Sequence, residues 1–307
     1  MSVHTGQETR IPARKVNVAA ARRRQRAGEV WREFCDNRSG LIGLIILLVV
    51  FALALLAPVL APVDTLDVTK ITAGQNEAPS WANPLGTDPA GRSVLAMLVW
   101  GARVSLLVGF CATAVSMVIG TVVGMAAGHF TGWTQAALMR LIDFFLVVPG
   151  LVLAIVLSSI IGPGVATIII AVGITSWAGT ARVVRSQTLT VESRAYIERS
   201  WALGASNAHI IKKHVLPAVM PLVLANTTLT VGSAVIAEST LSFLGLGDPS
   251  SISWGSMLKM ALDTGAATGG FWWYVLSPGL AIVGVVLCFT LVGRALESVI
   301  NPTLRGR

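Results

Sequence analysis

Two carboxylates interrupt stretches that are otherwise apolar: Asp143 in "RLIDFFLVVPGLVLAI" (140–155) and Glu238 in "AESTLSFLGLG" (237–247). An ionisable group inside an apolar span is costly and marks a pathway, a proton site or a buried partner. Glu238 can line a passage or take up a proton. It can equally tie helices together near the outer end of its span, with serine or backbone as partner, and this structural role is the expectation. Asp143 follows Arg140 at i, i+3, a spacing that forms surface ion pairs on a helix or links to a neighbouring loop. Asp88 and Arg92 stand at i, i+4 in "GTDPAGRS" (86–93) with Pro89 between them. That pattern predicts an Asp88 N-cap on a short helix lying on the outer membrane face.

Catalytic chemistry is not indicated. There is no GxSxG elbow, no Ser/His/Asp set and no carboxylate pair at a working distance, so the expectation is a protein that is not an enzyme. His209 and His214 are five apart, not the i, i+4 spacing of two metal ligands on one helical face. Cys35, Cys111 and Cys288 are widely separated and make neither a zinc set nor a disulfide framework. No metal and no cofactor are expected. A phosphate-binding loop needs GxxxxGK[ST]. No Gly-Lys pair occurs in the chain, so any ATP-driven work must borrow a separate motor.

The elements that must position these groups follow from composition. Of 307 residues, 54% are hydrophobic and only 12% charged, against roughly 25% charged in soluble domains. Mean hydropathy is +0.73. The chain therefore reads as an all-α integral membrane protein, because only helices and closed barrels satisfy backbone groups in lipid and the apolar runs are continuous rather than alternating. Its net charge of +8 is ascribed to arginines flanking spans, and no nucleic acid is expected.

Six spans are predicted. Residues 1–39 form a basic tail with "ARRRQR" at 21–26. The first span covers 40–63, too long for the 7–15-residue core of a cleaved export signal and about the 20 residues a bilayer takes. A turn-rich outer loop occupies 64–100. The remaining 101–300 carry five spans, near 104–128, 136–161, 165–181, 217–245 and 275–293, followed by a tail at 301–307. "GPG" at 162–164 divides a charge-free run into a hairpin. "GTVVG" at 120–124 matches the GxxxG packing pattern. Trp254, Trp272 and Trp273 fall in a second outer loop, suited to the membrane–water interface or to stacking on a passing peptide. With both termini in the cytoplasm, only Lys70, Arg92, Arg103 and Lys259 of the 23 Lys and Arg residues lie outside. Positive charge concentrates inside, as the rule for orientation requires.

Between the fourth and fifth spans lies "YIERSWALGASNAHIIKKHVLP" (196–217). A plain linker would be short or rich in Gly, Ser and Pro. This segment instead reads as helix, hinge, helix. Tyr196–Leu203 makes two turns, Gly204 suits a left-handed helix end, Ser206 or Asn207 caps a second short helix, and Pro217 fits the first turn of the next span. Tyr196, Ile197, Trp201 and Leu203 can form a knob for a cytoplasmic partner, or can lie on the lipid surface.

The segment resembles the EAA loop of ABC-importer permeases: EAA, three residues, Gly, nine residues, then I-x-LP. Glu198 matches the acid, Gly204 the glycine and Leu216-Pro217 the final pair. Arg199 and Ser200 replace the alanines, and His214 the isoleucine. "HVLP", "PLGTDPAGRSVLAMLVWGARVSL" (84–106), "IDFFLVVPGLVLAI" (142–155) and "AESTLSFLGLG" are similar to stretches of the C-type permeases of the dipeptide/oligopeptide/nickel branch, over about residues 30–300. The resemblance implies a type I ABC importer permease fold in a prokaryotic inner membrane. It implies a coupling loop built from Tyr196, Ile197, Glu198, Ala202, Leu203, Gly204, Ala205, Leu216 and Pro217. It implies a second, B-type permease, one or two cytoplasmic ATPase subunits and an extracytoplasmic solute-binding protein as partners. Transport of di- or oligopeptides by alternating access is the expected function. Nickel is the alternative cargo, and an ATP-independent transporter or channel the rival from another class.

Overall fold

The computed structural model describes residues 28–300 except Val30 and Thr72; "ARRRQR" and the 301–307 tail lie outside the described residues. The helices are α1 (Arg38–Leu60), α2 (Val94–His129), α3 (Trp133–Val147), α4 (Gly150–Ile161), α5 (Val165–Thr175), α6 (Trp177–Glu192), α7 (Ala195–Ala202), α8 (Asn207–Ile210), α9 (Leu216–Phe243), α10 (Trp254–Asp263) and α11 (Trp272–Ile300). Among the described residues, five helical runs are long and apolar enough to cross a bilayer, and six if the bent pair α3–α4 counts as one span. Leu48, Leu55 and Val59 on α1, and Val147, Val152 and Ile160 on α3–α4, face outward. Water would penalise such faces and a bilayer does not.

The bundle is organised on α2. At 36 residues it is about 54 Å long at 1.5 Å per residue, well beyond a hydrocarbon core of about 30 Å. It therefore projects past the apolar layer. Gly120, Gly124 and Gly128 line one face of it against α6. A Cβ at Gly120 would stand 2.8 Å from the Thr180 Cβ, one at Gly124 2.5 Å from the Ala181 carbonyl oxygen, and one at Gly128 2.7 Å from the Thr188 Cβ. The small-residue pattern thus runs one step further than 120–124 and brings the two backbones together.

Four expectations change. The second span starts at Val94 rather than near Val104, because Trp100 and Arg103 end the apolar run without breaking the helix. The third span is not continuous: it turns by 89° between Val147 and Gly150. Pro149 forces Val148 out of the helical region (φ −73, ψ 126). The Asp88–Arg92 segment is a tight turn instead of a helix, with the Gly91 N–H donating to the Asp88 carbonyl at 2.9 Å. Asp88 is buried and its carboxylate accepts from the Ala90 and Arg92 N–H groups and from the Arg92 guanidinium. The second outer loop contains a full helix, α10, closed by a reciprocal Ser253–Ser256 capping box. Trp254 and Trp273 are buried there, donating to the Leu98 and Thr87 carbonyls, and only Trp272 is exposed.

Candidate functional site

The 196–217 segment forms a two-armed hairpin at one end of the bundle. Its first arm, α7, ends in a closed C-terminal motif. The Ala205 N–H donates to the Ser200 carbonyl at 3.0 Å and the Gly204 N–H to the Trp201 carbonyl at 2.9 Å. This pairing needs a left-handed residue at the position after the cap, and Gly204 supplies it with φ +82. Nothing crowds the missing Cβ, so backbone conformation alone selects glycine. The second arm begins at Ser206, whose hydroxyl accepts from the His209 N–H at 3.4 Å. This second helix is not separate from the next span. The helix widens into a π-type turn over Ile211–Val215 and runs straight into α9. The wide turn accommodates Pro217, which has no N–H to return to the preceding turn.

The inner side of the hairpin is firmly packed. Ile197 is 1% exposed, and Ile210 and Val215 are fully buried. They share one cluster with Met117 and Met125 of α2, Val184 and Val191 of α6, and Val219 and Val223 of α9. The tip faces outward: Leu203 is 88% exposed, and Tyr196 and Trp201 are also exposed. Glu198, Ala202, Gly204 and Pro217 are exposed, while Ala205 and Leu216 are half-buried. Of the two residues that depart from the alanines of the loop pattern, Arg199 is exposed, and Ser200 turns its hydroxyl to the Tyr196 carbonyl at 2.9 Å. The Tyr196 and His214 rings lie 5.6 Å apart across the arms. An apolar tip on a rigid base, joined without interruption to a membrane-length helix, is an arrangement that can receive a push and transmit it.

Asp143 does not pair with Arg140. Its carboxylate meets Arg182 of α6 at 2.9 Å, with both side chains about half exposed. The bent α3 brings Asp143 to α6, so the nearer charge in sequence loses to the nearer helix in space.

Glu238 is 1% exposed. It accepts hydroxyls from Ser105 of α2 at 2.9 Å, Ser242 at 2.8 Å and Ser239 at 3.2 Å. The Ser105 oxygen in turn accepts from the Trp254 N–H at 3.2 Å. One carboxylate thus ties α9 to α2 and, through Ser105, to the start of α10.

At that same end of α2 lies a cavity of about 540 Å³ that includes Arg92, Trp100, Arg103 and Asp67 in its wall. Thr69 donates through both N–H and hydroxyl to the Asp67 carboxylate, which holds it below the usual carboxylate range. Ser250 does the same for Asp248.

Sequence reasoning missed the meeting of His129, Glu192 and Asn207, of which it had offered only Asn207, as a helix cap. The His129 ring bridges Glu192 at 2.6 Å and Asn207 at 3.1 Å. These residues are 63 and 78 positions apart from it, and no local spacing signals the meeting.

A family model described as a binding-protein-dependent transport system inner membrane component matches residues 120–306. A second, described as the N-terminal TM domain of oligopeptide transport permease C, matches residues 26–79. The dipeptide transport system permease protein of Bacillus subtilis is 37% identical over 90% of this chain and 86% of its own length. The glutathione transport system permease protein of Pectobacterium atrosepticum is 34% identical over 91% of each chain. Among solved structures, the MetNI methionine ABC transporter in inward-facing conformations matches with a TM-score of 0.54 at 21% identity, covering 66% of this chain and 96% of the other. That likeness concerns the fold.

Proposed function

The chain belongs to the inner membrane components of binding-protein-dependent transport systems, and on that premise we propose that it is one of two permeases in an ATP-driven importer of di- or oligopeptides. Its fold is that of a type I ABC importer permease. It pairs with a second, B-type permease in a prokaryotic plasma membrane. One or two ATPase subunits sit below, and a solute-binding protein delivers cargo from outside. Both termini face the cytoplasm, so the 196–217 hairpin does too. The observation that carries this reading is the hairpin itself: Leu203, 88% exposed, stands on a base whose Ile197, Ile210 and Val215 are locked against three long helices. An exposed apolar tip costs about 25 cal/mol per Å² until something covers it, and a groove on an ATPase subunit is the fitting cover.

The mechanism follows from the connection. Closure of the ATPase dimer displaces the tip. The Gly204 turn joins the two arms, and the unbroken run from Asn207 to Phe243 carries the displacement into the membrane. The passage between the two permeases then opens alternately to either side. Glu238 and Asp143 hold helices together in this scheme. Peptides are favoured as cargo because relatives named for dipeptide and glutathione transport align over about nine tenths of the chain.

The test is gentle purification of the tagged chain from its native membranes, with mass spectrometry of stoichiometric partners. A second permease and ATPase subunits co-purifying support the proposal, and the accompanying binding protein can then be titrated with peptides and with Ni²⁺. A chain that purifies alone, under conditions that keep known complexes intact, overturns it.

A further inference from the structure

His129 is the last residue of α2, and its side chain is only 1% exposed although its backbone is not. Its Nδ1 lies 2.6 Å from Glu192 Oε1 at the end of α6. Its Nε2 lies 3.1 Å from Asn207 Oδ1 at the start of α8. Its ring stacks on Trp201 of α7, with centroids 6.0 Å apart and planes at 19°. One imidazole therefore touches the ends of two long helices and both arms of the hairpin, one arm on each side of Gly204. Either protonation state keeps both polar contacts. A doubly protonated ring donates to both oxygens. A singly protonated ring donates to Glu192 and accepts from Asn207 once the amide is turned.

We propose that His129 is a positioning residue that clamps the hairpin to α2 and α6, so that displacement of the tip is delivered to three helices rather than to α9 alone. This rests on the reading of the hairpin as the ATPase-docking element. The buried cluster beneath it fixes the base of the hairpin, but it is non-directional. The histidine adds direction: its two hydrogen bonds have set angles, and losing them lets the arms rock about Gly204 on an apolar surface. Such slack dissipates the stroke without abolishing ATP hydrolysis.

The experiment uses the full importer in proteoliposomes and measures peptide taken up per ATP hydrolysed. The variants are His129→Ala, His129→Phe, Glu192→Gln, the His129→Ala/Glu192→Gln double, and Leu203→Asp as a probe of docking itself. Each complex is first checked for intact assembly by size-exclusion chromatography. His129→Ala, which removes both hydrogen bonds and the ring, should lower uptake per ATP about tenfold; Glu192→Gln, whose amide oxygen still accepts from the ring but without charge, should lower it by about threefold, both with assembly intact. The double variant should be no worse than the weaker single, because both remove the same link. His129→Phe keeps a ring against Trp201 and should still uncouple. Glu192→Gln is near-isosteric, so it keeps the test open where His129→Ala fails to assemble. If Leu203→Asp uncouples while the His129 and Glu192 variants keep the wild-type ratio, the clamp is wrong and docking stands. If the losses in the double variant multiply, the two residues do not act through one link and the clamp is wrong. If Leu203→Asp also leaves the ratio unchanged, the docking reading itself fails.

Discussion

Removing the Glu238 carboxylate should loosen the junction of α2, α9 and α10 while leaving the hairpin untouched. Its three partners are unequal. Ser239 and Ser242 stand on the same helix as Glu238 and can turn back to carbonyls of their own backbone. Ser105 stands on α2, and its hydroxyl at 2.9 Å is the link between helices. Leaving the buried Ser105 hydroxyl without its acceptor costs about 1–2 kcal/mol, and Glu238→Ala also opens a void at a site that is 1% exposed, for about 1 kcal/mol more. Together these put the cost of Glu238→Ala at about 2–3 kcal/mol. Glu238→Gln keeps an acceptor of the same shape and should cost about 1 kcal/mol. Equilibrium unfolding in mixed micelles, run as a cycle with Ser105→Ala, isolates the pairwise part, which should reach about 1–2 kcal/mol. Uptake is measured in parallel on the same preparations. An additive cycle would refute the knot. So would a Glu238→Ala chain that unfolds like the wild type yet no longer transports, since the carboxylate would then serve the passage.

Gly204→Val should uncouple uptake from ATP hydrolysis, because a β-branched residue resists φ +82. Gly204→Asn, which tolerates the left-handed region, should retain most coupling, and equal behaviour of the two variants would show that backbone conformation is not what matters there. Gly124→Val should cost about 1–3 kcal/mol by overpacking, since its added carbon meets the Ala181 carbonyl oxygen at 2.5 Å; unfolding in micelles reads this directly. Arg182→Ala should change stability by no more than about 1 kcal/mol, because its pair with Asp143 is about half exposed. A larger loss would mean that the bent α3 is held by this bond rather than by packing.

The number of apolar runs, the "GTVVG" face, the Gly204 turn and the Ser206 cap were all legible, because each depends on residues within a few positions of one another. The break at α3–α4 and the continuity through Pro217 were not, for opposite reasons. Pro149 carried the signal at the α3–α4 bend, but apolar residues on both sides masked it: hydropathy measures length in lipid and is blind to direction. Pro217 does stand in the first turn of α9, as read, but the helix before it does not end there. Pro217 marks a helix start when read alone, yet the chain widens by one turn at Ile211–Val215 and continues, because Ile210, Val215 and Val219 already share one buried cluster and breaking the helix would separate them. The polar junctions lay furthest from view. Glu238 stands out in any reading as an acid among apolar neighbours, but its partner Ser105 is 133 residues away. His129 carries no such contrast, since it closes the apolar run of α2 at a turn, where a histidine is unremarked. It becomes a junction only because the glycine face of α2 sets α6 so close that Glu192 ends beside it. The close helix pairing that a sequence pattern reveals is therefore what creates the polar link that no pattern reveals.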